Sequence, residues 1–198
     1  MHLSPAGRYL RHAWQAFLKN AWVLVLVVAA EKLLEAGIKK AGSFPMLALF
    51  LAAYFVLEPG IVSMFLAAER GEKLNAGDVL AGWQYGLKYF LASAANMVAV
   101  ALGLVCLILP GVYVFYRFRL FPYFLVDRNC GILGSLGESW AATSGRVLQM
   151  VSLDLLGLVV YALGVLCLIV GIVPASAVYR LMWAKFYGEI TTVPRAGL

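Results

Sequence analysis

Five polar residues stand inside long apolar runs: Glu58, Asn96, Arg117, Arg119 and Asp154. An ionised side chain at the middle of a bilayer costs at least about 2.5–3.5 kcal/mol, so such a group faces a partner or a cavity. Glu58 lies roughly 20 Å along a helix from Pro45, and Arg119 roughly 13 Å from Pro110, at 1.5 Å per residue. If the helices carrying them are neighbours, the sequence predicts a Glu58–Arg119 or Glu58–Arg117 ion pair. The alternative leaves each arginine reaching to an interface and Glu58 protonated. Arg146 and Arg128 are the expected partners of Asp154. Asn96 is expected to hydrogen-bond to another helix.

Catalytic chemistry finds few supports. The two histidines, His2 and His12, both lie near the start, which excludes a His-ligated metal site or a Ser-His triad within the apolar helices. Gly131-Ile132-Leu133-Gly134-Ser135-Leu136-Gly137 is rich in glycine but lacks the Lys-Ser/Thr of a phosphate loop, and reads as a flexible turn into an interfacial helix. Glu31 and Glu35, beside Lys32 and Lys39, read as a solvated helix end. Cys106, Cys130 and Cys167 show no zinc-type spacing and read as small apolar core residues. No cofactor is expected and no catalytic constellation is apparent.

The elements that must hold these residues are membrane helices. The chain has 198 residues, 63% hydrophobic and 13% charged, against about 25% charged in soluble domains. Hydropathy predicts an all-α, polytopic transmembrane bundle of about six spans, at about 14–34, 44–68, 91–109, 112–126, 147–170 and 172–187. Arg8, Arg11 and Lys19 before Ala21–Ala30 resemble a secretory signal, but Val28-Ala29-Ala30 is a poor cleavage site, so a retained first span is expected. The net charge of +6 follows from basic residues in short connections, which fits the positive-inside rule and not a nucleic-acid partner. Only Lys32, Lys39 and Lys40 fall on the opposite side, which predicts cytoplasmic termini in a multi-pass membrane protein.

The whole chain reads as one membrane domain with internal repeats, in units of about 10–75, 76–130 and 131–190. Residues 101–108 match residues 162–169. Each match is followed by a hairpin proline, Pro110 or Pro174, and then by Tyr116-Arg117 or Tyr179-Arg180. Pro45 takes that place in a fainter first copy. Trp14, Trp83 and Trp140 precede the odd-numbered spans, where indoles favour the headgroup zone. The stretch Asp78–Tyr89 reads as an interfacial amphipathic segment. Gly157, Gly164 and Gly171 on the fifth span, and Ala95, Ala99 and Gly103 on the third, form small-residue faces that predict central, closely packed helices. Pro59 and Pro122 are expected to kink the second and fourth spans.

The run Leu109-Pro110-Gly111-Val112-Tyr113, then Arg117, Phe121-Pro122-Tyr123-Phe124-Leu125-Val126-Asp127, Leu136-Gly137-Glu138-Ser139-Trp140 and Thr143-Ser144-Gly145-Arg146 is similar to a known pattern. It resembles the bacterial YciC-like six-span membrane proteins and the membrane domain of glycerophosphodiester phosphodiesterases. Pro59-Gly60 and Glu69-Arg70-Gly71-Glu72-Lys73 also fit it. The resemblance covers about residues 10–190. It implies a six-helix bundle in the bacterial cytoplasmic membrane and carries over no hydrolase activity. Glu58 departs from the pattern, which has an apolar residue there. Two main functions are expected from these features, with a membrane-bound enzyme acting on lipid as a third alternative. The first is a non-catalytic component that binds membrane lipids or another membrane protein, or self-associates. The second is a small secondary transporter or channel using the intramembrane charges.

Overall fold

A computed structural model describes residues 5–166 and 171–192. Among these residues the chain is all-helical: α1 (Pro5–Lys19), α2 (Ala21–Lys40), α3 (Phe44–Glu69), a 3-10 segment (Ala76–Tyr85), α4 (Gly86–Cys106), α5 (Ile108–Phe118), α6 (Phe121–Asp127), α7 (Ile132–Ala142), α8 (Val147–Leu166) and α9 (Ile172–Thr192). Three stretches are long and apolar enough to cross a membrane: Phe44–Glu69, Ala76–Val105 and Val147–Leu166. Cys167, His2 and the end of the repeat match at 162–169 lie outside the described residues, as does the side chain of Cys106.

The helices pack around α3 and α9. Phe65 and Met64 of α3 meet Met182, Phe186 and Tyr187 of α9, with Leu24 and Val28 of α2 and Leu153 of α8 closing the core. A second cluster joins Tyr89 and Ala92 of α4 to Phe121, Leu125 and Leu136. Half-buried Ala95 packs against that cluster, and Ala99 is half-buried further along α4.

The small-residue faces do not make α4 and α8 central. Both lie at the periphery and turn Met97, Val98 and Leu102, or Leu155, Leu158 and Leu163, outward. A glycine stripe serves one face, and one face is enough to dock each helix on the partner that follows it. Gly103 approaches Gly111 so closely that an added Cβ would stand 2.9 Å from the Gly111 Cα. Gly164, the repeat equivalent of Gly103, meets the Gly171 carbonyl oxygen and Ala175 in the same way, at 2.6 and 2.9 Å. Gly157 is covered by the Tyr179 ring.

The prolines sit differently from the sequence reading. Pro45, Pro110 and Pro174 lie within the first turns of α3, α5 and α9, not in the turns before them. A first-turn N–H has no helical partner to lose, so proline starts the helix at no hydrogen-bond cost. The α4–α5 turn is made by the extended residue Leu107. Pro59 lies within a continuous α3, and the Phe55 carbonyl it leaves without a helical donor faces Gly86. Pro122 does more than kink its span: the helix stops at Phe118 and restarts at Phe121. The first span is likewise interrupted, at Asn20, between α1 and α2.

The stretch before α4 packs on α3. A capping box starts it, with the Asn75 N–H donating to Asp78 at 3.1 Å. Gly60 and Gly82 then bring two backbones together: a Cβ on Gly60 would lie 1.7 Å from the Val79 carbonyl oxygen. The glycine-rich stretch 131–137 is not a loose turn, because all but Gly131 belongs to α7.

Candidate functional site: a charged cleft between α2, α3, α8 and α9

Arg180 of α9 lies between two carboxylates. Its Nη1 donates to Glu58 Oε1 at 3.0 Å and its Nη2 reaches Glu58 Oε2 at 3.5 Å, a forked pair. Nη2 also donates to Glu31 Oε1. Glu31 and Glu58 are 3% and 6% exposed, near the middles of α2 and α3. The predicted Glu58–Arg119 and Glu58–Arg117 pairs are therefore replaced by Glu58–Arg180. Arg180 is the repeat equivalent of Arg117. Glu31 is not part of a solvated end: only its neighbours Lys32 and Glu35 pair at the surface, at 2.9 Å. Glu31 lies one helical turn before Glu35 on the same face of α2, and its carboxylate reaches Arg180 of α9.

Arg119 makes the second pair, with Asp154 Oδ1 at 3.0 Å. The hydroxyls of Tyr116 and Tyr179 also donate to Asp154, at 2.9 and 2.6 Å. These tyrosines occupy matching places in the two repeat copies, so both copies grip one carboxylate. Arg128 and Arg146 are not its partners. Arg128 instead pairs with Glu138 at 3.4 Å. Arg119 also stacks over the Trp183 ring, 4.3 Å from its centroid, and an arginine above an indole gains from the ring's negative face.

The two pairs border one cleft of about 260 Å³. Glu31, Lys32, Arg119, Arg180, Tyr54, Tyr123, Tyr161 and Trp183 are among its walls. Cations, carboxylates, phenols and ring faces are thus gathered inside an otherwise apolar bundle.

Arg117 and Asn96 lie apart from the cleft. Arg117 is 4% exposed and stacks over Trp140 at 4.3 Å, with Tyr113 at 5.5 Å. Its Nε and Nη1 have no hydrogen-bond partner among the described residues, nor does the Asn96 Oδ1 expected to bridge helices. The backbone around Arg117 is satisfied instead. Where Pro122 breaks the helix, Ser139 Oγ donates to the Arg117 carbonyl at 2.8 Å and accepts the Leu120 N–H at 3.1 Å. Thr143 Oγ1 also reaches the Arg117 carbonyl, at 3.1 Å. Buried backbone groups need such partners, and this gives Ser139 and Thr143 a physical reason for their places in the motif.

Outside the apolar spans, α1 is anchored on α9 by the Tyr9 hydroxyl, which donates to Glu189 at 2.6 Å. Burial and that carboxylate push the Tyr9 phenol well above its usual range. Burial, with nearby Lys185, lowers the imidazole of His12 below its usual 6.5. No family model, curated protein or solved structure matches the chain.

Proposed function

We propose that this chain is a six-pass protein of a bacterial cytoplasmic membrane that binds a small polar solute in the charged cleft and carries it across, without covalent catalysis. The passes would be α2, α3, α4 with the segment before it, the broken α5–α6 pair, α8 and α9. At 20 and 21 residues, α2 and α9 have the length a bilayer requires. The sequence resemblance favours the same layout. Basic residues at Arg8, Arg11, Arg70, Lys73, Arg128 and Arg146 favour cytoplasmic termini. Trp14, Trp83 and Trp140 are all exposed, as interfacial indoles would be.

The observation that carries the solute reading is the cleft. Three cations and four carboxylates at or beside one mid-bundle opening, Lys32, Arg119, Arg180, Glu31, Glu35, Glu58 and Asp154, are costly to keep in a membrane for packing alone. Both signs of charge beside ring faces suit a small zwitterion with an amine and a carboxylate. The test uses proteoliposomes and isotope-labelled amino acids added outside. Uptake of label that disappears with Arg180→Gln supports the reading. No uptake of any of the twenty amino acids defeats it.

A second reading, binding of a lipid or a partner membrane protein, has its own observation. An apolar groove of about 700 Å³ runs between α1, α8 and α9, lined by Leu10, Trp14, Val160, Leu163 and Val178, with Arg11 at its edge. An acyl chain would fit there with its phosphate on Arg11. Native mass spectrometry from the source membrane would show a stoichiometric lipid or protein if this reading holds.

A further inference from the structure

Glu31 stands where two openings meet. With Tyr54 it lines both the charged cleft and a second cavity of about 200 Å³ between α2, α3 and the segment 76–85. Its two oxygens are unequal. Oε1 accepts from Arg180, whereas Oε2 is buried without a partner among the described residues. Glu58, by contrast, has both oxygens on the Arg180 fork.

The groups that face Glu31 can be counted. α9 supplies Arg180 and Tyr179, α3 supplies Glu58 and Tyr54, α6 and α8 supply Tyr123 and Tyr161 across the cleft, its own helix supplies Lys32 and Glu35, which neutralise each other, and Arg119 on the same cleft is neutralised by Asp154. One cation thus serves two buried carboxylates. With both ionised the cluster carries a net negative charge, and one oxygen lacks any donor. Burying such a group is strongly unfavourable, and a proton on Oε2 removes the charge.

We propose that Glu31 is a proton-binding site, taking the proton on Oε2 while both Glu58 oxygens stay on the Arg180 fork. The step is a single proton transfer: hydronium arriving through either opening gives its proton to the Glu31 carboxylate, leaving a carboxylic acid and water, and the reverse releases it. Its place between the two openings makes Glu31 the exchange point for protons between the two sides of the bundle. This deepens the carrier reading by naming the coupling ion, yet it is read out without transport.

The test treats the purified full chain, in sodium-free buffer, with dicyclohexylcarbodiimide. The reagent takes the proton of a protonated carboxyl on its nitrogen, bonds the carboxyl oxygen to its central carbon, and rearranges to a stable N-acylurea seen by peptide mass spectrometry. Labelling of Glu31 and not Glu58 at neutral pH, lost at alkaline pH and unchanged by added NaCl, is expected. Infrared pH-difference spectra should show a protonated-carboxyl C=O band that Glu31→Gln removes. Glu31→Gln should also melt close to the parent, because a neutral isostere replaces a neutral acid, while Glu58→Gln should melt clearly lower. Labelling of Glu58 in place of Glu31, protection by NaCl, no carboxyl band, or equal destabilisation by the two variants would each overturn the proposal. Solute uptake without the Glu31 band would leave the carrier and remove the proton site. The band without uptake would do the reverse.

Discussion

Replacing Arg180 by Gln removes the one cation that Glu31 and Glu58 share. Only 2% and 8% of those carboxylate side chains are exposed, while 23% of the Arg180 side chain opens to the cleft. Breaking a buried pair by deleting one partner costs about 3–5 kcal/mol, because a charge is left uncompensated. The partial exposure of Arg180 places the expected loss toward the lower end. Glu58→Gln should cost less, about 1–3 kcal/mol, since Glu31 still holds Arg180. The double variant Glu58→Gln with Arg180→Gln should be more stable than Arg180→Gln alone, because it buries one carboxylate fewer. The assay is unfolding of the detergent-purified protein by increasing SDS fraction, followed by circular dichroism. A coupling of about 0.5–3 kcal/mol between the two positions is expected. Additive losses at 58 and 180, or coupling of Glu58 with Arg119 instead, would refute the assignment of partners.

Ser139→Ala should cost about 1–3 kcal/mol in the same assay, since the Arg117 carbonyl loses a donor and the Leu120 N–H its acceptor; unchanged stability would mean another group repairs the break. Gly60→Ala should fail to yield folded protein or lose more than about 3 kcal/mol, because its Cβ would meet the backbone of residue 79; size-exclusion profiles and SDS unfolding report this. The lowered imidazole of His12 makes the folded state bind its proton later than the unfolded chain does. Stability should therefore hold above about pH 6.5 and fall as pH drops through the lower folded value. His12→Gln should flatten the melting-temperature profile over that range, and an unaltered profile would remove His12 as its cause.

Much of the architecture was legible because it rests on composition and small residues. Apolar runs gave helices, and the match of residues 101–108 with 162–169 pointed to two close helix approaches that use Gly103 and Gly164 alike. The proline positions were seen but their job was not, since a hairpin proline and a first-turn proline differ by two or three residues. The break before Pro122 was missed because its repair lies elsewhere, in Ser139 and Thr143 of α7. Among the charges, Arg119 does border the cleft, and Glu58 and Asp154 hold arginines that line it, but each partner was misassigned. Pairing depends on which helices are neighbours, and hydropathy carries no such information. Glu31 was hidden by company: Lys32 and Glu35 beside it pair with each other and are about a third exposed, whereas Glu31 is reached by Arg180 from a helix far along the chain. The signal available was the Tyr116/Tyr179 equivalence, which would have drawn attention to Arg180 as the neighbour of Tyr179.

The central claim is that a polar, water-reached cleft exists inside the bundle. The most direct measurement is reaction of a charged, membrane-impermeant thiol reagent with single cysteines in intact proteoliposomes, on a background with Cys106, Cys130 and Cys167 changed to Ser. Tyr161→Cys lies on the cleft wall, while Leu158→Cys lies on the outward face of the same helix. The account predicts rapid modification at 161 and none at 158, where lipid excludes the charge. Equal inertness at both positions would mean that the cleft is closed to water, and would contradict the account.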